Sequence, residues 1–220
     1  MVVDITSVPY VVVAKYRNNE IKPLALPELV KQVADAYNNA YIMVEINDVG
    51  GQIADALHYD LEYENLIMTQ MRGRLGQIVG SGFGDKATDL GVRTTKAVKK
   101  IGCSNLKQLV ESDKMILKDF DIIVELSNFV AKGSSFEGDE GATDDLVMCL
   151  VLFAWLTNQT FFKELTNDDI RRRLYQSQQK MIEEDMAPFG FMDDGINYVD
   201  QNMPFVDEDG DYWTPTQYNR

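Results

Sequence analysis

The sequence predicts an α/β fold, a mixed sheet flanked by helices, and three observations lead there. Short β-branched runs, YVVVAK at 10–15 and YIMVEI at 41–46, have the composition of strands. Between and after them apolar residues recur at helical spacing, as in Leu26, Leu29, Val30, Val33 and Tyr37. The two kinds of segment alternate along the chain, which calls for crossovers within one sheet. With 220 residues, 45% of them hydrophobic, the chain can bury a core without disulfide or metal staples.

Each element follows from local chemistry. Residues 1–5 (MVVDI) and 10–15 form a hairpin across the Thr6-Ser7-Val8-Pro9 turn. A helix spans 27–40, with Pro27 at its first position. Residues 41–46 form a strand, Gly50-Gly51 lead into a helix carrying Ile53, Ala54 and Leu57, and 66–68 form another short strand. Residues 73–91 are Gly-rich and irregular, a protruding hairpin or loop, with Gly80-Ser81-Gly82-Phe83-Gly84 as its tip. A helix follows over 93–112, broken at Gly102, then a strand at 115–117 and a helix at 122–130. A loop covers 133–141, and Asp144 opens an apolar helix running from Leu146 through Trp155. A charged helix over 168–184 precedes an acidic stretch without periodicity, read as a weakly ordered extension. Two domains result, a core at 1–165 and a helical, acidic extension at 166–220.

Charge narrows the partners. The net charge of −14 argues against tight autonomous binding to nucleic acid. It is unevenly spread: residues 181–220 hold ten acids and one arginine, Arg220, leaving only −5 on the first 180 residues. Cys103 and Cys149 have no metal-ligand spacing and imply a reducing compartment. The apolar run Leu146 to Leu156 is too short to span a bilayer, so no membrane partner is expected. His58, the single histidine, has a structural role, and Asp207, Asp209 and Asp211 lack the glycine position and distal Glu of a calcium loop.

Two carboxylate groupings carry possible chemistry. Glu45 lies between Val44 and Ile46, and an isolated ionised carboxylate in a sheet core costs several kcal/mol or more. It must reach solvent at the strand end, pair with a base, or bind a cation. Thr143-Asp144-Asp145 opens the apolar helix, where Thr or Asp is the ordinary N-cap and an acid offsets the helix dipole. Two adjacent aspartates there also suit a hard divalent cation.

Five segments in order raise a specific resemblance: VVDIT from Val2, YIMVEIND around Glu45, DALHYDLEYE from Asp55, TDLGVRTTKAVKKIGCSNLKQLVE from Thr88, and EGATDDLVMCLVLFAWL from Glu140. APFGFMDD from Ala187 adds a further match. Together they resemble the C-terminal nuclease domain of the large terminase subunit of T-even-type tailed bacteriophages. The resemblance implies a ribonuclease H-like fold and endonucleolytic cleavage of concatemeric viral DNA during genome packaging. It implies three acids on two Mg²⁺ or Mn²⁺ ions, with Glu45 as the second acid and Asp145 as the third. Asp144 is then a supporting acid or cap. The His common before this pair is here Thr143. The family's first acid sits on a strand that the VVDIT match places ahead of Val2, so Asp4 is a poor substitute. The expected fold therefore lacks the first strand, and no ATP-binding G-x-x-x-x-G-K-[ST] motif is present.

Expected DNA-binding residues are Arg93, Lys96, Lys99 and Lys100, which share or flank one helical stripe, and Arg72 and Arg74 in the Gly-rich region; a solvated helix face is the plainer reading of the stripe. The resemblance also implies double-stranded DNA, the terminase ATPase domain or an upstream polypeptide, the portal protein and the small terminase subunit as partners. The expected place is the host cytoplasm, at the procapsid rather than in the mature virion. A reading from another class is a non-catalytic packaging-motor fragment that docks to the portal or to the ATPase.

Overall fold

The computed structural model describes residues 1–72, 76–80, 88–133 and 135–167, together with Tyr175 and two short strands near the C-terminus. The chain divides into two compact units, Met1–Ile170 and Arg171–Arg220. In the second, strands Phe205–Val206 and Tyr212–Trp213 pair antiparallel. The expected helix at 168–184, the acidic extension and the Asp207–Asp211 cluster otherwise lie outside the described residues.

The first unit begins with the expected hairpin: β1 (Val2–Asp4) runs antiparallel to β2 (Tyr10–Ala14). Strand β2 also pairs in parallel with β6 (Met115–Ile116), giving the order β1-β2-β6. Helix α1 (Leu26–Ala36) stops short of residue 40 because Asn38 and Asn39 adopt positive φ of 58° and 53°, which ends helical geometry. Helix α2 (Gly50–Asp55) runs on into a π-turn at Ala56–Asp60.

The 41–46 segment is extended but makes two single parallel bridges rather than a continuous ladder, Ile42 with Leu66 and Glu45 with Val92. Its two partners come from different stretches of chain, and that is why the expected strand is not continuous. The expected strand at 66–68 is likewise reduced to the Leu66 bridge. Regular pairing starts three residues later. There β3 (Thr69–Arg72) lies between β4 (Gly76–Val79) and β5 (Thr88–Asp89), so the Gly-rich region contains a hairpin. Of its proposed tip, only Gly80 is described.

Three further expectations change. Helix α3 (Lys96–Glu111) passes through Gly102 unbroken, with Thr95 accepting from Val98 N–H as its N-cap. Gly102 is a packing residue: a Cβ there would stand 2.3 Å from the Val151 carbonyl oxygen of α5 (Asp145–Thr157). Helix α4 (Phe120–Ser127) ends before Phe129, which opens strand β7 (Phe129–Lys132). The expected loop at 133–141 supplies the partner strand β8 (Ser135–Gly138).

Two apolar clusters sandwich the extended segments. One surrounds α5 and takes Val98 and Leu106 from α3, Met1, Val3 and Ile5 from the first hairpin, and Met43. The other lies under α1 and the π-turn and takes Ile42, Val44 and Leu66. Side chains alternate faces along an extended chain, so the 41–46 segment is the boundary between two helical layers. Tyr10 fixes β2 to the first layer by edge contacts to Phe153 and Phe162, with ring centroids 5.6 and 5.8 Å away. Among the described residues no single helix is long and apolar enough to cross a membrane.

Candidate active site

Glu45 is placed by backbone chemistry. Val92 N–H donates to the Val44 carbonyl at 2.8 Å and Ile46 N–H to the Val92 carbonyl at 2.9 Å, which locks Glu45 beside Val92. Gly91 makes this approach feasible: its φ is +140°, and a Cβ would lie 2.4 Å from the Val44 carbonyl oxygen. Asn47 tightens the join, accepting from Thr94 N–H at 3.1 Å. Behind it, buried Thr69 donates to the Gly91 carbonyl and accepts from Gln77. Met43 faces the α5 cluster, so Glu45, two residues on, shares that face. Its side chain is half-buried.

The start of α5 is arranged differently from the sequence expectation. Asp144 occupies the N-cap position but makes no capping hydrogen bond through its side chain. Glu125, from α4, does the capping. Its carboxylate accepts from Leu146 N–H at 2.8 Å and more weakly from Val147 N–H at 3.4 Å, satisfying donors at the helix start. The other oxygen accepts from the Thr143 hydroxyl at 2.9 Å and lies 3.4 Å from the Arg17 guanidinium. Arg17 also donates to the Thr143 hydroxyl at 2.8 Å. Thr143, where the resemblance leads one to look for His, is thus a link in this network.

With capping delegated to Glu125, the acids of α5 are left for other partners. Asp144 lies 3.8 Å from the Lys99 ammonium, and that ammonium also sits over the Phe129 ring. Asp145 is exposed on the first turn. One turn further on, the same face presents Cys149. Cys149 keeps part of its surface in solvent, yet the protein around it still desolvates the thiol and pushes its pKa up. The Met1 amino group opposes that shift, and the carboxylates of Glu45, Asp145 and Glu125 add to it. The strand acid and the helix acid picked out in the sequence are thus both within electrostatic reach of the Cys149 thiol.

Among the described residues, the carboxylates of Glu45 and Asp145 accept no hydrogen bond and form no ion pair, whereas Glu125 and Asp144 are both engaged. Carboxylate oxygens are the donor set of a hard divalent cation, so the chemistry of the pair fits Mg²⁺ or Mn²⁺. The fit is partial, because no group of three or more potential ligands comes together among the described residues. Asp4, a poor candidate for the missing acid from the sequence, accepts through one carboxylate oxygen from the Thr6 backbone N–H and hydroxyl at 2.8 and 2.6 Å, bracing the hairpin turn.

The expected DNA-binding residues fall into separate groups. Lys96 and Lys100 are exposed on α3, and Arg93 just ahead of it is exposed but paired with Asp89 at 3.2 Å. Lys99 turns toward Asp144. Arg74 and the Arg72 side chain lie outside the described residues. His58 is half-buried and edge-on to exposed Tyr59.

Sequence reasoning missed Glu125, Arg17 and Cys149. A signal existed for the first: Glu125 follows Ile122 by three residues on the buried stripe of an apolar helix, where a charge must be partnered.

The layered α/β domain carries Glu45 on an extended segment and Asp145 at the start of its apolar helix, both within electrostatic reach of Cys149. Residues 1–155 match the family model described as a terminase RNaseH-like domain, and the chain belongs to that family. The fold is accordingly ribonuclease H-like.

Proposed function

We propose that this domain is the metal-dependent endonuclease module of a terminase, cutting concatemeric viral DNA as a genome is packaged. The observation that carries the reading is that Glu45 and Asp145, both within electrostatic reach of Cys149, have no hydrogen-bond or ion-pair partner among the described residues. The half-buried charge of Glu45 is costly without a partner, and a cation bound between it and exposed Asp145 would remove that cost. Glu45 holds its side of the site from a backbone-locked segment, and Asp145 holds the other from a helix start fixed by Glu125. Asp144, kept near Lys99, supports the pair. Mg²⁺ or Mn²⁺, two ions in the complete site implied by the family resemblance, supplies Lewis acidity and a more acidic water when bound. Lys96, Lys100 and Arg93, with Arg72 and Arg74 of the hairpin region, are proposed to contact DNA phosphates. Double-stranded DNA, the terminase ATPase domain or an upstream polypeptide, the portal and the small subunit remain the proposed partners, in the host cytoplasm at the procapsid.

The test is Mn²⁺ binding by calorimetry together with nicking of supercoiled plasmid, comparing the chain with Glu45→Ala and Asp145→Ala. Binding that weakens at least tenfold in both variants, and any nicking lost with it, upholds the reading. Binding unchanged in both variants removes these residues as ligands. Because two acids form an incomplete set, weak or no nicking is expected from the chain alone.

A second reading has its own observation. The lack of a three-ligand cluster among the described residues favours a non-catalytic packaging-motor piece that docks to the portal or the ATPase. A chain that binds neither Mn²⁺ nor Mg²⁺ would place it there.

A further inference from the structure

Lys96 and Lys100 of α3 are exposed, whereas Lys99 is withdrawn toward α5, its side chain 19% exposed. The packing of the two helices puts it there. A Cβ at Gly102 would collide with the Val151 backbone, and three residues on in both helices the Asn105 amide donates to the Ala154 carbonyl at 3.1 Å. Both contacts advance in the same sense, so α3 and α5 run parallel. One turn before Gly102, Lys99 therefore stands level with Met148. Side chains on a helix lean toward its N-terminus, so the Lys99 arm reaches back one more turn, to Asp144. Its Nζ lies 3.8 Å from Asp144 Oδ2 and 5.7 Å from the centroid of the Phe129 ring. An ammonium drawn out of water needs such partners, a carboxylate and the negative face of a ring.

Asp144 depends on Lys99 in turn. It occupies the N-cap position of α5, but Glu125 accepts from Leu146 and Val147 N–H in its place, so the helix start makes no use of its carboxylate. Among the described residues no hydrogen bond and no other ion pair reaches that carboxylate. Residues four apart share a helical face: Asp144 falls on the stripe of Met148, level with Lys99, and Asp145 on that of Cys149. Two adjacent acids are thus sent in different directions, one to a resident ammonium and the other left open. A short carboxylate needs only a change of χ1 to swing between them. What holds Asp144 aside is the ammonium.

We propose that Lys99 is a positioning residue that keeps Asp144 out of the cation's coordination shell, its ammonium standing where a second cation would. The acids of this chain then take a single ion, held by Glu45 and Asp145, rather than the two that the family resemblance implies. The identity of those two ligands rests on the nuclease reading. Two carboxylates suit Mg²⁺, which characteristically keeps several waters and takes only one or two protein acids. Lys99 accordingly sets how tightly the ion is held and contacts no DNA phosphate.

The test measures Mn²⁺ binding by calorimetry in about 0.3 M KCl, which screens charges acting through solvent. The full chain is compared with Lys99→Met, which keeps an apolar stem over Phe129, with Lys99→Arg, and with Lys99→Met made in an Asp144→Asn background. The parent should bind one ion. Lys99→Met should bind it at least tenfold more tightly, because the released Asp144 joins the shell, and Lys99→Arg should stay within about threefold of the parent. In the Asp144→Asn background the same Lys99→Met change should gain no more than about threefold. Equal gains in the two backgrounds mean that only the charge of Lys99 is felt, and overturn the proposal. Two ions on the parent, or no gain in Lys99→Met, overturn it as well. Urea unfolding reports whether each variant is folded, and Lys99→Gln replaces Lys99→Met if that one is not. Parent binding that survives both Glu45→Ala and Asp145→Ala undoes the nuclease reading together with this one. Binding lost in those two variants, with equal gains from Lys99→Met, leaves the nuclease reading standing and removes only the role of Lys99.

Discussion

Two glutamates act on the same cysteine and are treated in opposite ways. Glu125 is buried on α4, and its carboxylate accepts from two backbone N–H groups and a hydroxyl, with a guanidinium beside it. Glu45 is half-buried at the end of an extended segment and has no hydrogen-bond or ion-pair partner among the described residues. A carboxylate with every lone pair occupied has no coordination to offer, and its work is to hold elements together. One fixed in place by its backbone but left empty at its oxygens is arranged to take a ligand. Charge alone does not separate the two; burial and, above all, the partner inventory do.

The largest effect is expected at the occupied one. Glu125→Ala leaves two buried helix-start N–H donors without their acceptor, and an unsatisfied buried donor typically costs about 1–3 kcal/mol each. A large fall in the urea midpoint is expected, with Glu125→Gln falling less because its amide oxygen can still accept from Leu146 N–H. A stability unchanged by Glu125→Ala would mean that α5 is capped by something else. Next in size is Gly91→Ala. Its positive φ and the 2.4 Å approach to the Val44 carbonyl leave no room for a Cβ, and backbone strain of this kind costs about 1–3 kcal/mol. Amide exchange at Ile46 and Val92 should accelerate more than at α3, because the Glu45–Val92 bridge is what the methyl group wedges apart.

Glu45 and Asp145 should behave in the reverse manner. Glu45→Gln and Asp145→Asn remove charges that no described residue compensates, so stability should stay within about 0.5 kcal/mol of the parent or rise slightly. The affinity for Mn²⁺ should nonetheless fall in both. Destabilisation as large as that of Glu125→Ala would show that these carboxylates hold structure instead.

The same contrast explains what was legible in the sequence. The acids at Glu45 and Asp145 stood out because a local pattern, an apolar strand run or an apolar helix start, made them anomalous where they are. The role of Glu125 depends on Arg17 and Thr143, which lie far from it in sequence, and no local pattern reveals such a partnership. Helices α1, α3 and α5 were visible as periodic or wholly apolar stretches. The α4–β7 boundary was not, since Phe129 and Val130 continue the apolar composition of α4 while Asn128 already ends its helical geometry. Gly102 looked like a helix breaker, but what decides its role is the Val151 backbone pressed against it, a tertiary contact. Strand β8 has too little β-branched character to be read without its partner β7.

The smallest expected effect comes from a third acid, exposed and paired. Lys15 donates to Asp119 at 2.6 Å and also reaches Asp121, tying the end of the β1–β2 hairpin to the start of α4. Asp119 also caps that helix by accepting from Ile122 N–H. The Lys15 ammonium, and after it the Ile122 N–H, hold the Asp119 carboxyl below its ordinary value of 3.8. The bonds to Asp119 and then Asp121 hold Lys15 above its ordinary 10.5. The Asp119 contribution is therefore full above the ordinary carboxylate range and is lost as pH falls through its lowered value. That of Lys15 is full below its ordinary value and is lost as pH rises through its raised one. Neutral pH lies inside both windows. Lys15→Met should accordingly lower the melting temperature slightly at pH 7, less in high salt, since solvent and ions screen an exposed pair. The difference from the parent should vanish near about pH 2, where carboxyls are largely protonated. A difference that persists there would assign the effect to the packing of the Lys15 side chain rather than to its charge.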